Sequence, residues 1–496
     1  MRNSVYPTPK RSHWRQRVAL PIMRSERLRN AVAKGAAVLL ALQLPAWATP
    51  LAVASLALLL VQSLDHRFAW GSTPLAVALF ASVVLLFLAL YQALAHTDNR
   101  LLAARRRPFT VLLVCVLAIN TLIHVVLVLP HLMQPNRYST DAAAATDCAT
   151  QLFLHGHDPY GNLHMLTCMH NHGLGFFQTT PKRDGTFHNM VTYPNPKSAL
   201  FPYLMWRDYG KELRKELNNP HYISPEFEER FNYPGGAIFT AMLALVFGFR
   251  DLVPLYLGCA ILASWLIYRR TRPRIRWIVG LLLLGDTTLL LDEVGGVTDI
   301  LYGFILVVYW ALRDRPLLAG LLLGLAAATR QQVWFFLPFL LYLGWRVRGR
   351  RDLRQRGLSA LAIFLLCNAP FLWMNPGNWF AGVLGPMRDP LFAQGVGLIN
   401  LSIVGLLPLV HPIWYGLLEC VVWVGAFRFF TRHALNAPGL ALLLPLLPLV
   451  FAWRSLHTYF IVLPLLATAV LAFSHQHVSD HIESDLPGEA AMEQAA

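Results

Sequence analysis

The feature that most constrains this chain is a succession of apolar runs, each broken off by a short basic segment. Many of the runs approach the ~18–20 apolar residues that cross the hydrocarbon of a bilayer. With 55% of its 496 residues hydrophobic and only 14% charged, the chain is too apolar for a soluble protein of this length. A backbone immersed in lipid has to satisfy its own hydrogen bonds, which leaves helices or a closed barrel. Runs of this length and composition point to helices. The expected fold is therefore an all-α polytopic membrane protein, a bundle of about 11–13 transmembrane helices.

The net charge of +15 could suit a nucleic-acid partner. Its placement argues against one, because Lys and Arg gather in short segments between the runs, as they do in cytoplasmic loops. Residues 1–30 are polar and basic, with no early apolar core or cleavage site, and read as a cytoplasmic arm on the membrane surface.

Charge parity then orders the chain. Runs near Ala37–Leu64 and Ser72–Ala95, within residues 31–130, return to the basic segment Arg100–Arg107. Phe109–Pro130 leaves the cytoplasm, so residues 131–232 form a long extracytoplasmic loop containing a charged helical piece, Asp208–Leu217. Residues 233–473 hold the remaining spans. Ala237–Phe249 and Leu252–Tyr268 should cross an odd net number of times, as one kinked helix or with a re-entrant piece. Next come Trp277–Leu291, Val297–Leu312, Leu317–Thr329, Val333–Trp345, the very basic Arg346–Arg356, and Leu358–Met374. A second extracytoplasmic loop at 375–398 precedes Ile399–Phe427, Leu440–Trp453 and Phe460–Phe473, and 474–496 is a cytoplasmic tail. No internal repeat is visible, which weakens a transporter built from two matching halves.

Of the six cysteines, Cys115, Cys259, Cys367 and Cys420 fall in spans and act as small apolar residues. Cys148 and Cys168 share the external loop, where they either pair under oxidising conditions or stay free. The same loop carries His155, His157, His170 and His172. With Cys168, the C-x-H-x-H spacing could hold zinc or another transition metal, although it matches no common finger. The favoured reading has no metal and no cofactor.

The long loop opens on Ser139–Asn162. Thr140 stands where a helix cap would, Asp141 occupies the first turn, and four alanines allow close approach to the backbone. His155-Gly156 reads as the helix stop and Asp158-Pro159-Tyr160 as the turn beyond it. Parity brings other unusual residues to the same face: Asp292, Glu293 and Asp299 around Gly295-Gly296, Arg330-Gln331-Gln332, and Arg454, His457 and Tyr459. Charges at membrane depth are costly and usually functional. Here both signs converge, which suits an anionic lipid head beside a neutral sugar. Transfer of a sugar from a polyprenyl phosphate needs a base for the acceptor hydroxyl and cations for the leaving phosphate. No glycine-rich dinucleotide fingerprint followed by a βαβ pattern appears.

The Asp, the small-residue helix and the following G-x-D-P-Y resemble the first extracytoplasmic loop of GT-C membrane glycosyltransferases. They look most like the polyprenol-phosphate-sugar-dependent, mannosyltransferase-like enzymes of glycosyltransferase family 87 and related bacterial proteins. Tyr233-Pro234, Gly295–Asp299, ATRQQVWFFLPFLL around Arg330 and SLHTYFIVLP around His457 are similar to later family motifs in order, over residues 139–465. Arg330 replaces a usual Lys, and the family's Gln and Asn are missing from the Gly295 turn. The resemblance implies Asp141 as catalytic base and aligns His457, the second catalytic candidate, with the family histidine.

Arg330, Arg454 and Tyr459 would then bind donor phosphate, with Asp158, Tyr160, Tyr233, Asp292, Glu293, Asp299 and Gln331 toward sugar or acceptor. The setting would be a bacterial plasma membrane with the site outside, and a glycan, glycolipid or protein as acceptor. Asp147 is the rival base, although six helical positions turn it away from Asp141. Arg330 can instead snorkel or pair with an acid, and Asp292, Glu293 and Asp299 can serve only as ion-pair partners. The alternative function is a transporter or lipid flippase, which needs polar residues continuing through the bilayer. A metal-handling protein is a third reading.

Overall fold

Helix supplies nearly all the regular structure of the computed structural model, which describes residues 44–68, 72–95, 106–132, 138, 140–175, 178–190, 200–219, 221–286 and 298–474. The N-terminal runs become α1 (Ala48–Phe68), α2 (Thr73–Ala95) and α3 (Arg107–Leu132). Pro45 precedes α1 and Pro50 sits in its first turn, where a backbone N–H has no intrahelical partner to lose. The described part of that run is one helix.

The long loop folds into α4 (Asp141–Leu154), α5 (Pro159–Asn162), α6 (Met165–Asn171) and α7 (Leu200–Asn218). It has a small core of its own, in which Leu166, Phe187, Met205, Tyr209, Leu213 and Phe227 close around Phe392 of the second loop. Thr140 occupies the N-cap position of α4 with extended dihedrals, but its side chain makes no cap hydrogen bond. Gly156, at φ 80°, follows the end of the helix as the sequence suggests. The alanine face of α4 (Ala143, Ala144, Ala145, Ala149) is buried where α4 packs on α8 (Gly236–Val246).

The next helix, α9, runs from Val253 to Arg270, and a turn at Gly248 (φ 85°) precedes it. At 11 residues α8 rises only about 16 Å, half a bilayer, so the pair is not one long kinked helix. Then come α10 (Arg276–Gly285), α11 (Asp299–Ala311), α12 (Pro316–Thr329), a 3₁₀ turn Gln331–Phe335, α13 (Phe336–Arg348) and α14 (Arg350–Met374). Gly320 and Gly324 let α12 and α14 touch backbone to backbone. A Cβ at Gly324 would lie 2.8 Å from the Ala360 carbonyl carbon, and one at Gly320 2.9 Å from the Arg356 Cα. The segment Arg346–Arg356 is not an open basic loop, because Gly349 alone separates α13 from α14. Asp352 and Arg356 are buried as an ion pair at 2.9 Å, and Arg356 Nη1 donates to the Tyr309 hydroxyl at 2.6 Å.

The second loop supplies α15 (Pro376–Val383), α16 (Gly385–Arg388) and the short strand β1 (Gln394–Gly395), followed by α17 (Leu398–Ile403) and α18 (Pro412–His433). The run Ile399–Phe427 is therefore interrupted rather than continuous. Leu440–Trp453 is not an α-helix either: it forms 3₁₀ segments Pro438–Leu442 and Leu444–Phe451, because Pro445 and Pro448 remove backbone donors. Strand β2 (Arg454–Ser455), a 3₁₀ turn His457–Phe460 and α19 (Leu463–Ser474) complete the described chain.

Among the described residues, three helices are long and apolar enough to cross a bilayer: α2, α14 and α18. Shorter apolar helices, including α8, α11 and α12, surround a common apolar core that contains Trp47, Trp310, Phe336 and Phe339. Among the described residues the architecture is all-α, with one two-residue parallel strand pair.

Candidate functional site

Three loops far apart in sequence are sewn together by main-chain hydrogen bonds, and this seam positions the candidate site. Lys182 N–H donates to the Glu226 carbonyl at 2.8 Å, Glu228 N–H to the Thr180 carbonyl at 2.9 Å, and Arg183 N–H to the Pro390 carbonyl at 2.7 Å. Strand β1 then pairs in parallel with β2, Gln394 opposite Arg454, and Val396 N–H reaches the Ser455 carbonyl at 2.7 Å. Gly395 permits this at φ 133°, with Ser455 main chain so close that a Cβ would meet its nitrogen at 2.7 Å. The seam thus fixes Thr180 and Glu228 of the first loop relative to Arg454 of the last.

Asp141 stands at the start of α4 and accepts a hydrogen bond from the Thr180 hydroxyl at 3.2 Å. Burial pushes its carboxyl above the usual aspartate range; Arg454, the Thr180 hydroxyl, the Ala142 N–H and Arg330 pull it back. Glu228 lies beside it, its Oε2 4.0 Å from Arg454 Nη1, and its Oε1 accepts from Asn232 Nδ2 at 2.7 Å. Burial raises Glu228 too; Arg454 and Asn232 oppose that, while Asp141 and Asp389 repel its charge.

On the other side Arg330, 6% exposed, closes α12. Its Nη2 pairs with Asp299 Oδ2 at 2.7 Å, and its guanidinium carbon lies 4.1 Å from the centre of the Tyr233 ring. Arg454 Nη2 reaches Gln394 Oε1 at 3.4 Å. The Nε atoms of both arginines are buried and have no hydrogen-bond partner. Tyr459 lies within electrostatic reach of Arg454, Arg330 and Asp299, and burial raises the Tyr233 hydroxyl against the pull of Arg330. The result is a partly buried group of two carboxylates, two guanidinium groups and two phenols, plus the buried Asp299 counter-ion.

Not every residue singled out in the sequence opens onto this group. The Tyr160 hydroxyl is spent on the Tyr233 carbonyl at 2.6 Å, and Asp158 caps α5 and accepts from Asn378 Nδ2 at 2.8 Å. Both hold the loop against its neighbours. Gln331 Nε2 is likewise used, donating to the Val383 carbonyl at 3.0 Å and to that of Asn232. His457 begins the turn after Arg454 and is half-buried. Asp292 and Glu293, with the Gly295-Gly296 break, lie outside the described residues.

The rival base Asp147 is fully buried and occupied, accepting from the Tyr138 hydroxyl at 2.7 Å and Gln151 Nε2 at 2.9 Å, with His172 Nε2 3.7 Å away. Cys148 and Cys168 are joined as a disulfide. Their sulfurs lie near a ring nitrogen of His172, but a cystine is not a thiolate donor, so the C-x-H-x-H spacing loses its soft ligand. His155, His157 and His170 are exposed on the loop surface.

Sequence reasoning missed Thr180, Glu228 and Gln394. Glu228 sits in PEFEER, where nothing in the acidic cluster distinguishes it from its neighbours, and Thr180 is one hydroxyl in an irregular stretch. Only the seam brings them to Asp141. No protein-family model, curated protein or solved structure matches the chain.

Proposed function

We propose that the protein is a multi-pass membrane glycosyltransferase of the GT-C type, moving a sugar from a polyprenyl phosphate carrier to an acceptor hydroxyl. The observation that carries this reading is that the guanidinium Nε donors of Arg330 and Arg454 are buried and unmatched in a group that also contains a carboxylate of raised pKa. A buried donor without a partner is costly unless a ligand supplies the acceptor. Phosphate offers acceptors suited to two arginines, and lipid-linked phosphate would arrive from the bilayer itself.

In this mechanism Asp141 takes the proton of the acceptor hydroxyl as its oxygen attacks the anomeric carbon. The bond from that carbon to the phosphate oxygen breaks, and Arg330 and Arg454 hold the leaving polyprenyl phosphate, giving inversion. A pKa raised above that of a free carboxylate makes Asp141 a stronger base while leaving it ionised above that value. Asp299 keeps Arg330 aligned before donor binds.

About a dozen crossings in all, with the long loop outside, complete the reading. The short helices α8, α11 and α12 leave room for a cavity below the headgroups, and the Cys148–Cys168 bond fits an oxidising, extracytoplasmic compartment. Binding of a polyprenyl phosphate to purified protein tests it. Alanine at Arg330 or Arg454 should weaken binding at least tenfold, and unchanged affinity in both variants would refute the assignment.

A flippase-like reading has one observation of its own. Asp286, at the end of α10, is buried and takes the Ser55 hydroxyl of α1, and the Asp352–Arg356 pair lies further on, so polar groups occur away from the main cluster. Movement of labelled polyprenyl phosphate across vesicles without sugar transfer would favour it.

A further inference from the structure

We propose that Glu228 is a positioning residue of this site, sharing Arg454 with Asp141 so that the guanidinium is held between two carboxylates instead of closing onto the base. The inference rests on the roles given above to Asp141 and Arg454, and it assigns a task to a residue that no sequence motif marked.

Glu228 is tied down on three sides. Its N–H donates to the Thr180 carbonyl at 2.9 Å, its Oε1 accepts from Asn232 at 2.7 Å, and its Oε2 is 4.0 Å from Arg454 Nη1. The same Thr180 gives its hydroxyl to Asp141 at 3.2 Å. One residue therefore sets the spacing of the two carboxylates, and the β1–β2 pairing sets Arg454 against both.

The side chain of Glu228 is only 9% exposed, so water does little to stabilise its charge. Its charged and titratable neighbours are Arg454, Asp141 and Asp389, with Asn232 as hydrogen-bond donor. Those of Asp141 are Arg454, Arg330, Glu228 and Tyr233, beside the Thr180 hydroxyl and the Ala142 N–H. A single close arginine lowers a carboxylate by about 1–3 pH units, which would weaken Asp141 as a base. A second carboxylate competing for that arginine limits the loss, and its own repulsion adds to the effect. The Nε of the same arginine is buried and without a partner.

Glu228→Gln keeps the shape and an acceptor for Asn232 but removes the charge. Arg454 is then free to pair with Asp141. The direct test is a pH titration of the protonated carboxyl stretch by infrared difference spectroscopy, on full-length protein in lipid nanodiscs, with the Asp141 band assigned by its loss in Asp141→Asn. The Asp141 band should titrate about one pH unit lower in Glu228→Gln than in wild type and return part of the way in Glu228→Asp. An unchanged titration in Glu228→Gln overturns the proposal. If Glu228→Gln does not fold, Glu228→Asp alone decides. Its longer separation from Arg454 should still move the Asp141 band down measurably, and no movement overturns the proposal.

The second readout is the acid limb of the transfer rate against pH, which should shift in the same direction with a severalfold lower plateau. A residue with only a structural role would lower the rate without moving the limb. Absence of transfer in wild type would count against the glycosyltransferase reading alone, since the infrared titration does not depend on turnover.

Discussion

Removing the counter-ion of Arg330 separates structural pairing from ligand binding. Asp299 is 0% exposed and takes Arg330 Nη2 at 2.7 Å. In Asp299→Asn the guanidinium stays buried without a negative partner. Breaking a buried pair from one side costs about 3–5 kcal/mol. The Asn carbonyl retains one charge-assisted hydrogen bond, which offsets about 1.5 kcal/mol. The Tyr233 ring at 4.1 Å is present in both proteins and cancels. The variant should therefore be destabilised by about 1.5–3.5 kcal/mol, within the ~5–15 kcal/mol stability of an ordinary fold, so it remains folded. Unfolding in detergent, followed by tryptophan fluorescence, measures this.

A bound phosphate then supplies the missing anion. At a hundredfold excess over Kd, a ligand stabilises by about 2.7 kcal/mol, and the gain should be larger in Asp299→Asn than in wild type because the cation there is uncompensated. An unchanged unfolding midpoint in Asp299→Asn would refute the pairing. Equal ligand shifts in the two proteins would refute phosphate binding at Arg330.

Other perturbations have equally definite outcomes. Thr180→Val removes a hydrogen bond to the charged form of Asp141, so its pKa rises further and the acid limb of the transfer rate moves up by roughly half to one pH unit; an unmoved limb would detach Thr180 from the base. Cys148→Ser opens a loop with a sequence separation of 20, which costs about 3 kcal/mol in chain entropy, and unfolding of reduced wild type should match it. Glu216 and Glu229 both bond to main-chain N–H groups at the start of α6, and burial raises both above the ordinary glutamate value. The folded loop thus binds more protons than the unfolded one. Its stability should be full below about pH 4.3 and fall as pH rises through the raised folded values, the reverse of a salt-bridged carboxylate; stability rising over that window would contradict the buried-acid description.

How much of this was readable in the sequence differs by residue. The α4 helix, its alanine face and its stop at Gly156 follow from local chemistry, and the structure has them where composition and spacing put them. Asp299, Arg330 and Arg454 each sit at the end of an apolar run, which makes them stand out in the sequence; that Asp299 and Arg330 pair and that Asp141 lies within electrostatic reach of both arginines comes from the packing of those ends. Proline defeated the α-helical reading of Leu440–Trp453, where hydrophobicity gives no sign that Pro445 and Pro448 impose 3₁₀ turns. Helix termini were also misplaced. Asp352 and Arg356 look like a solvated basic loop until their pairing across one turn of α14 allows both to be buried. Thr180 and Glu228 were out of reach because a main-chain seam between distant loops has no periodicity to detect.

The central claim is that Asp141 is the base. Asp141→Asn keeps the shape of the side chain and an acceptor for Thr180, but cannot take a proton. Transfer of labelled sugar from a polyprenyl phosphate donor, measured beside donor affinity in the same preparation, tests this directly. The account predicts that the donor still binds while turnover falls roughly 10²–10⁴-fold, whereas Asp147→Asn, which disturbs the contacts to Tyr138, Gln151 and His172, retains substantially more activity. Near-normal turnover in Asp141→Asn, or a larger loss in Asp147→Asn, would contradict it.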